Sequence, residues 1–147
     1  MAQIIEAHRD AYTISTDPAR IDMNAVYDFL SRAYWANTRP REMTDKAFAN
    51  SLVFGIYEGQ KQIGIARVVS DFSVFAYLCD VFIHEDHRGH GLGKWLMHTV
   101  TEHPDLKHVR RFLLVTNDAH GLYQQFGFSQ IEESHKWMHL VRPFPGE

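Results

Sequence analysis

Cysteine is nearly absent, with Cys79 standing alone among 147 residues. A lone cysteine excludes an internal disulfide framework and a Cys-rich zinc site, and it suits a reducing compartment, so a cytoplasmic location is expected. Long apolar runs are missing too, none approaching the roughly 20 residues that a membrane-spanning helix requires. The first residues carry Glu6, His8, Arg9 and Asp10 where a secretory signal would need an unbroken apolar stretch, so membrane insertion is not expected. An excess of positive charge is also lacking. With 15 Lys and Arg against 18 Asp and Glu, the net charge is -3 and the pI about 6.3. Such totals supply none of the strong positive field on which phosphate-backbone binding relies, and nucleic acid is not expected as a partner. The 10 histidines invite a metal reading. Yet no His-Glu-x-x-His occurs, and His135 with His139 falls in a segment of strand character, where that separation makes no helical ligand pair. No metal is expected.

What is present is a core. Hydrophobic residues make up 45% of the chain and aromatics 13%, enough for one domain over residues 1–147, and no linker, repeat or low-complexity tract divides it. Tyr12 to Ser15 reads as a short strand, broken by Asp17-Pro18. Ile21, Ala25, Val26, Phe29, Leu30 and Ala33 then recur at helical spacing, predicting a helix over Asp22 to Ala33. After the polar-aromatic connection Tyr34 to Arg41, a shorter helix is predicted over Glu42 to Asn50. Leu52 to Tyr57 and Gln62 to Val69 flank a turn with Gly59, and Val74 to Ile83 adds a third strand, which together predict an antiparallel meander. Gly91 to Glu102 is helical in period, and Arg111 to Thr116 reads as a buried strand, so a parallel βαβ crossover follows the meander. Ala119 to Phe126 forms a last helix, and Ser129 to Glu132 with Lys136 to Val141 predicts a C-terminal hairpin. The fold class is α/β, or α+β with a mixed sheet.

The stretch from Val81 to Leu96 carries the chemistry. It runs from strand to helix through Gly89, Gly91 and Gly93. A helix start offers unpaired amides and a partial positive charge, and glycines let backbone donors approach phosphate oxygens. Read without context, such glycines equally serve a tight turn. A Walker loop does not fit, because His90 stands where its first glycine belongs and Trp95 follows Lys94. A dinucleotide fingerprint misses its third glycine by one position.

What does fit is Arg88-x-x-Gly91-x-Gly93, which resembles the Arg/Gln-x-x-Gly-x-Gly/Ala signature of the GNAT superfamily of N-acetyltransferases. Ala119-His120-Gly121-Leu122-Tyr123 through Gly127-Phe128 is similar to that family's Ala-x-x-Leu-Tyr-x-x-x-Gly-Phe helix, and the element order agrees from about Tyr12 to Val141. Two departures stand out: Thr116 occupies a place where the family often has Asn, with Asn117 one position late, and Glu85 replaces a common Pro.

The resemblance implies acetyl-CoA as co-substrate, held by Arg88, Gly89, His90, Gly91, Leu92, Gly93 and Lys94. Its pantetheine arm would run along Val81, Phe82 and Ile83, with the backbone of Val81 and Ile83 pairing to it. Direct attack by an amine needs a proton donor for the leaving thiolate, and Tyr123 matches the family tyrosine near the sulfur. Otherwise Tyr123 caps the core beside Phe126 and Phe128. Asp80 is the candidate base, the alternative being a carboxylate that satisfies backbone donors. His84 and Glu85 lie within a few residues of it. Trp35 and Arg39 are the candidate acceptor-binding residues, Arg39 for a carboxylate and Trp35 for an apolar face, in a region with Tyr34, Asn37 and Arg41 that equally serves as packing and solvated surface. The expected acceptor is a small-molecule amine. The alternatives are a protein or peptide acceptor, or an acyl-CoA-binding sensor without turnover. A homodimer built through sheet edges is compatible with each.

Overall fold

From Leu52 to Val68 the chain is mostly apolar, a composition that needs cover on both faces of a sheet. The computed structural model, which describes residues 2–147, provides that cover. In chain order the elements are β1 (Glu6–Arg9), β2 (Tyr12–Ser15), α1 (Met23–Ser31), α2 (Arg41–Ala49), β3 (Leu52–Glu58), β4 (Lys61–Ser70), β5 (Phe75–Ile83), α3 (Leu92–Thr101), β6 (Arg111–Leu114) and α4 (His120–Gln124). The strands form one sheet in the order β1-β2-β3-β4-β5-β6. Every neighbouring pair is antiparallel except β5 with β6, which are parallel across the α3 crossover. The mixed α/β sheet, its meander and its crossover agree with the sequence reading. β1 has no apolar alternation strong enough to announce it, and pairing to β2 creates it.

Side-chain alternation explains the layers. Phe54 and Ile56 of β3 join Leu92, Leu96, Met97 and Val100 of α3 in one cluster. Val53 points to the opposite face and joins Val26, Phe29 and Leu30 of α1 with Phe48 of α2. Asp22 caps α1, its carboxylate accepting from the amides of Asn24 (3.0 Å) and Ala25 (3.4 Å). Phe29 stacks on Phe82 at a 5.3 Å centroid separation, a contact worth roughly 0.5–1.5 kcal/mol beyond its buried area. It fixes α1 over the end of β5.

The C-terminal hairpin does not form. Residues 129–147 contain no strand; Glu133 takes a left-handed φ of 50°, and Ser134–Lys136 wind into a 3-10 turn closed by a Lys136–Glu133 ion pair of 3.0 Å. Met138, Leu140 and Val141 are 94%, 75% and 74% exposed. Alternating polarity states which face a strand would bury, but a strand also needs an edge that receives it. Here the turn chemistry at Glu133 leads the chain away, and Trp137 rests instead under the Arg111 guanidinium, 5.0 Å from its ring centre.

Candidate functional site

The site begins with an irregularity in β5. Cys79 pairs with Arg67 and Phe82 with Ile65, so Asp80 and Val81 together oppose Ala66 alone. This is a β-bulge, and Asp80 sits in it at a φ of +52°. Aspartate tolerates that left-handed conformation better than most residues. β6 follows β5 only as far as the Leu78–Leu114 pair. Beyond the bulge, therefore, β5 runs on to Ile83 with no neighbour on that side.

Side chains from β4, α2, the turn before β3 and the connection between α1 and α2 hold the bulge. Asp80 Oδ1 accepts from Trp35 Nε1 at 2.9 Å; Oδ2 accepts from Arg39 Nη2 at 2.9 Å and from Arg67 Nε at 2.8 Å. The carboxylate is 1% exposed, and the two guanidinium side chains 10% and 12%. Arg39 also donates to Thr44 Oγ1, and Arg67 to Ser51 Oγ. Both oxygens of Asp80 are thus engaged by fixed donors. Arg39, whose expected role was to grip a substrate carboxylate, spends its fork on Asp80 and Thr44.

Beyond β5 the chain takes a 3-10 turn at Glu85–His87 and enters α3 through Gly89 and Gly91, with φ of 85° and 72°. None of the six backbone amides from Gly89 to Lys94 finds an acceptor among the described residues. Six free donors at the positive end of a helix are an arrangement that can receive an anion. The Arg88 side chain folds back, its Nε donating to the Ile83 carbonyl at 2.9 Å while its guanidinium lies 5.1 Å from the Phe82 ring centre. Of the Ile83 backbone, expected to pair with pantetheine, the carbonyl is thus taken by Arg88.

A cavity of about 330 Å³ opens between the free stretch of β5 and α4, lined among others by Trp35, Val81, Ile83, Arg88, Gly93 and Tyr123. A larger opening of about 760 Å³ lies beneath α1 and α2, lined by Met23, Tyr27, Phe48 and Val68 among others. Size favours the second, but only the first joins the glycine loop to the bulged strand. Tyr123 is 8% exposed and its hydroxyl makes no hydrogen bond among the described residues. Burial, with a smaller contribution from Asp118, raises its pKa above the usual phenol value, so the group keeps its proton at neutral pH. Burial also pushes the Cys79 thiol up to about 11, which leaves it without the thiolate that a nucleophile needs. Among the described residues no group of three or more His, Cys, Asp or Glu side chains is placed to hold a metal ion.

The structure therefore gathers Trp35, Val81, Phe82, Ile83, Arg88, Gly93 and Tyr123 around one opening, and sets Asp80 and Arg39 behind Trp35. His84 caps the 3-10 turn, its Nδ1 accepting from the Asp86 amide, and Glu85 pairs with Arg32 through two bonds of 2.7 and 2.8 Å. That pair holds the Glu85 carboxyl down to about 2. Arg32 lines the cavity, and Arg67 anchors Asp80; neither is marked by any motif. Only the pairing of β4 with bulged β5 and the end of α1 bring them there.

Residues 49–130 match the sequence model of the acetyltransferase (GNAT) domain. A Gibberella zeae protein that bears an acetyltransferase name is 31% identical, covering 78% of this chain and 77% of that one. Among solved structures, a GNAT-family protein from Xanthomonas campestris pv. campestris is 39% identical with a TM-score of 0.87, covering 92% of this chain and 96% of its own. A GNAT acetyltransferase from Elizabethkingia anophelis, crystallised with acetyl-CoA bound, shares the fold at a TM-score of 0.65 and 19% identity, over 84% of this chain and 80% of that one.

Proposed function

The chain belongs to the GNAT family of acetyltransferases, and from that premise we propose that it moves an acetyl group from acetyl-CoA to the amine of a small acceptor bearing an apolar or aromatic portion. The observation that carries this reading is the run of unpartnered amides from Gly89 to Lys94 leading into the cavity lined by Trp35 and Tyr123. Those amides suit a pyrophosphate, and the fold relative from Elizabethkingia anophelis binds acetyl-CoA. The free side of β5 offers the backbone of Val81 to the pantetheine arm.

The thioester supplies an acyl carbon that an amine can attack directly, and the protein's task is to place both partners and move protons. Tyr123 is the group assigned to protonate the leaving sulfur, being neutral, buried and without a hydrogen-bond partner among the described residues. Cys79, held as a thiol, takes no acyl group. Asp80 acts as a positioning residue and not as the base: it fixes the bulge and, through Nε1, the indole of Trp35. Trp35 and Tyr34 meet edge to face at 5.1 Å and form the acceptor wall. With a net charge of only -3, the chain lacks the large acidic excess that a polybasic protein tail would call for, which favours a small molecule over a peptide.

A panel of arylalkyl and alkyl amines assayed with acetyl-CoA tests this. Tyr123→Phe is expected to lower kcat by about a hundredfold with acetyl-CoA affinity unchanged. Trp35→Ala is expected to raise the KM of the best amine and leave that of acetyl-CoA alone. Acetylation restricted to protein lysines or peptide N-termini would overturn the small-acceptor reading.

A further inference from the structure

The β1–β2 hairpin belongs to the far end of the sheet from β5 in strand order, yet its tip touches the loop that follows β5. Arg9 Nη2 donates to the His90 carbonyl at 2.6 Å, and Nη1 reaches the Gly91 carbonyl at 3.5 Å. The same guanidinium lies 5.5 Å from the ring centre of Trp95 on α3. Three residues on, the Tyr12 hydroxyl is 3.0 Å from Nδ1 of His87. The crossover explains the meeting: α3 packs back over the sheet onto Ile14 and Phe54, carrying its N-terminal loop across to the hairpin.

The direction of these bonds matters. In a trans peptide unit the carbonyl and the following amide point to opposite sides. Drawing the His90 and Gly91 carbonyls toward Arg9 therefore turns the Gly91 and Leu92 amides away from it, and both belong to the unpartnered run. Gly91 is fitted to the contact, since a Cβ there would come within 3.3 Å of Arg9 Nη2.

We propose that Arg9, assisted by Tyr12, is a positioning residue for the cofactor: the hairpin tip clamps the loop by its carbonyls so that its amides face the phosphate groups, and the guanidinium adds positive charge at the loop's outer side. The proposal rests on the loop being the acetyl-CoA site. Nothing in the local sequence of β1 marks Arg9 for this task, because the contact exists only once α3 has crossed the sheet.

Calorimetric titration of acetyl-CoA into the wild-type chain and four variants, with thermal melting of each free protein, tests it. Arg9→Ala is expected to weaken binding about tenfold, while the free protein melts within about 2 °C of wild type. Arg9→Lys is expected to recover only part of the loss, since a single ammonium nitrogen lacks the planar pair of nitrogens that addresses the two carbonyls separately. Tyr12→Phe should weaken binding about threefold. Gly93→Asp reports on the loop itself: its Cβ has ordinary 3.8 Å contact with Leu122, and a carboxylate there suits the helix start but repels a bound phosphate. If Gly93→Asp abolishes binding while Arg9→Ala binds within about twofold of wild type, the clamp is overturned and the loop reading stands. If Gly93→Asp binds normally, the loop reading fails and the clamp with it. Full recovery by Arg9→Lys would reduce Arg9 to a point charge and also overturn the clamp.

Discussion

The loop from Arg88 to Lys94 and the cluster around Asp80 border the same site and are built by opposite means. The loop presents backbone: its donors are amides, and its side chains mostly point elsewhere, Leu92 into the core at 2% exposure. The cluster presents side chains, gathered from β4, β5, α2, the turn before β3 and the connection between α1 and α2. A backbone site can be altered with little harm to the core, because few other contacts depend on it. A buried ion cluster is tied into the packing, so changing one member leaves the others uncompensated. Substitutions in the loop should therefore act on affinity, and substitutions in the cluster on stability.

The largest effect expected from that contrast is at Asp80. Asp80→Asn leaves two nearly buried guanidinium groups with no anion, and the loss is expected at about 3–5 kcal/mol in urea unfolding. A stable, active Asp80→Asn protein would place the cluster with the loop and erase the contrast. Next comes Gly91→Val. A φ of 72° is costly for a β-branched residue and Arg9 must shift, so about 1–2 kcal/mol of stability is expected to go together with more than about tenfold in acetyl-CoA affinity. A folded variant with unchanged affinity in calorimetry would remove the loop from the site.

Ser51→Ala sharpens the comparison from the cluster's rim. Its hydroxyl accepts from Arg67 at 3.1 Å and donates to the Ala47 carbonyl at 2.6 Å, and losing it should lower stability by about 1 kcal/mol with cofactor affinity unaltered. The smallest effect belongs to the Arg32–Glu85 pair, which is exposed. The folded carboxyl titrates at about 2, below its ordinary 4.5, chiefly because Arg32 donates to it. Its contribution is thus fully present above about pH 4.5 and is lost as the pH falls through about 2. Glu85→Gln should lower stability at pH 7 by no more than the small contribution of a solvent-screened pair, and flatten that part of the acid unfolding curve by the same amount. An identical acid limb in the variant would show that the pair contributes nothing.

The same contrast explains what was readable in the chain. Glycine spacing before an amphipathic helix is a local signal, and Arg88-x-x-Gly91-x-Gly93 pointed to the loop without any knowledge of the fold. Tyr123 and Trp35 came from their segments in the same way, and both line the cavity. Asp80 and Arg39 were singled out for the right neighbourhood but with different tasks, because nothing local reveals that they satisfy each other. Arg9, Tyr12, Arg32 and Arg67 were silent for the same reason. The predicted C-terminal hairpin shows the converse failure: Lys136 to Val141 has the polarity of a strand, but Glu133 takes a left-handed turn into a 3-10 segment and the chain never pairs with the sheet.

By itself, then, the sequence determined most of the periodic elements, their order and the glycine-rich entry to α3, since hydrophobic period, glycine spacing and capping act over a few residues. The tertiary structure decided the bulge at Asp80, the pairing of Arg39 and Arg67 with it, and the reach of Arg9 to His90, since each depends on groups far apart in the chain that meet only when the sheet forms and α3 crosses it.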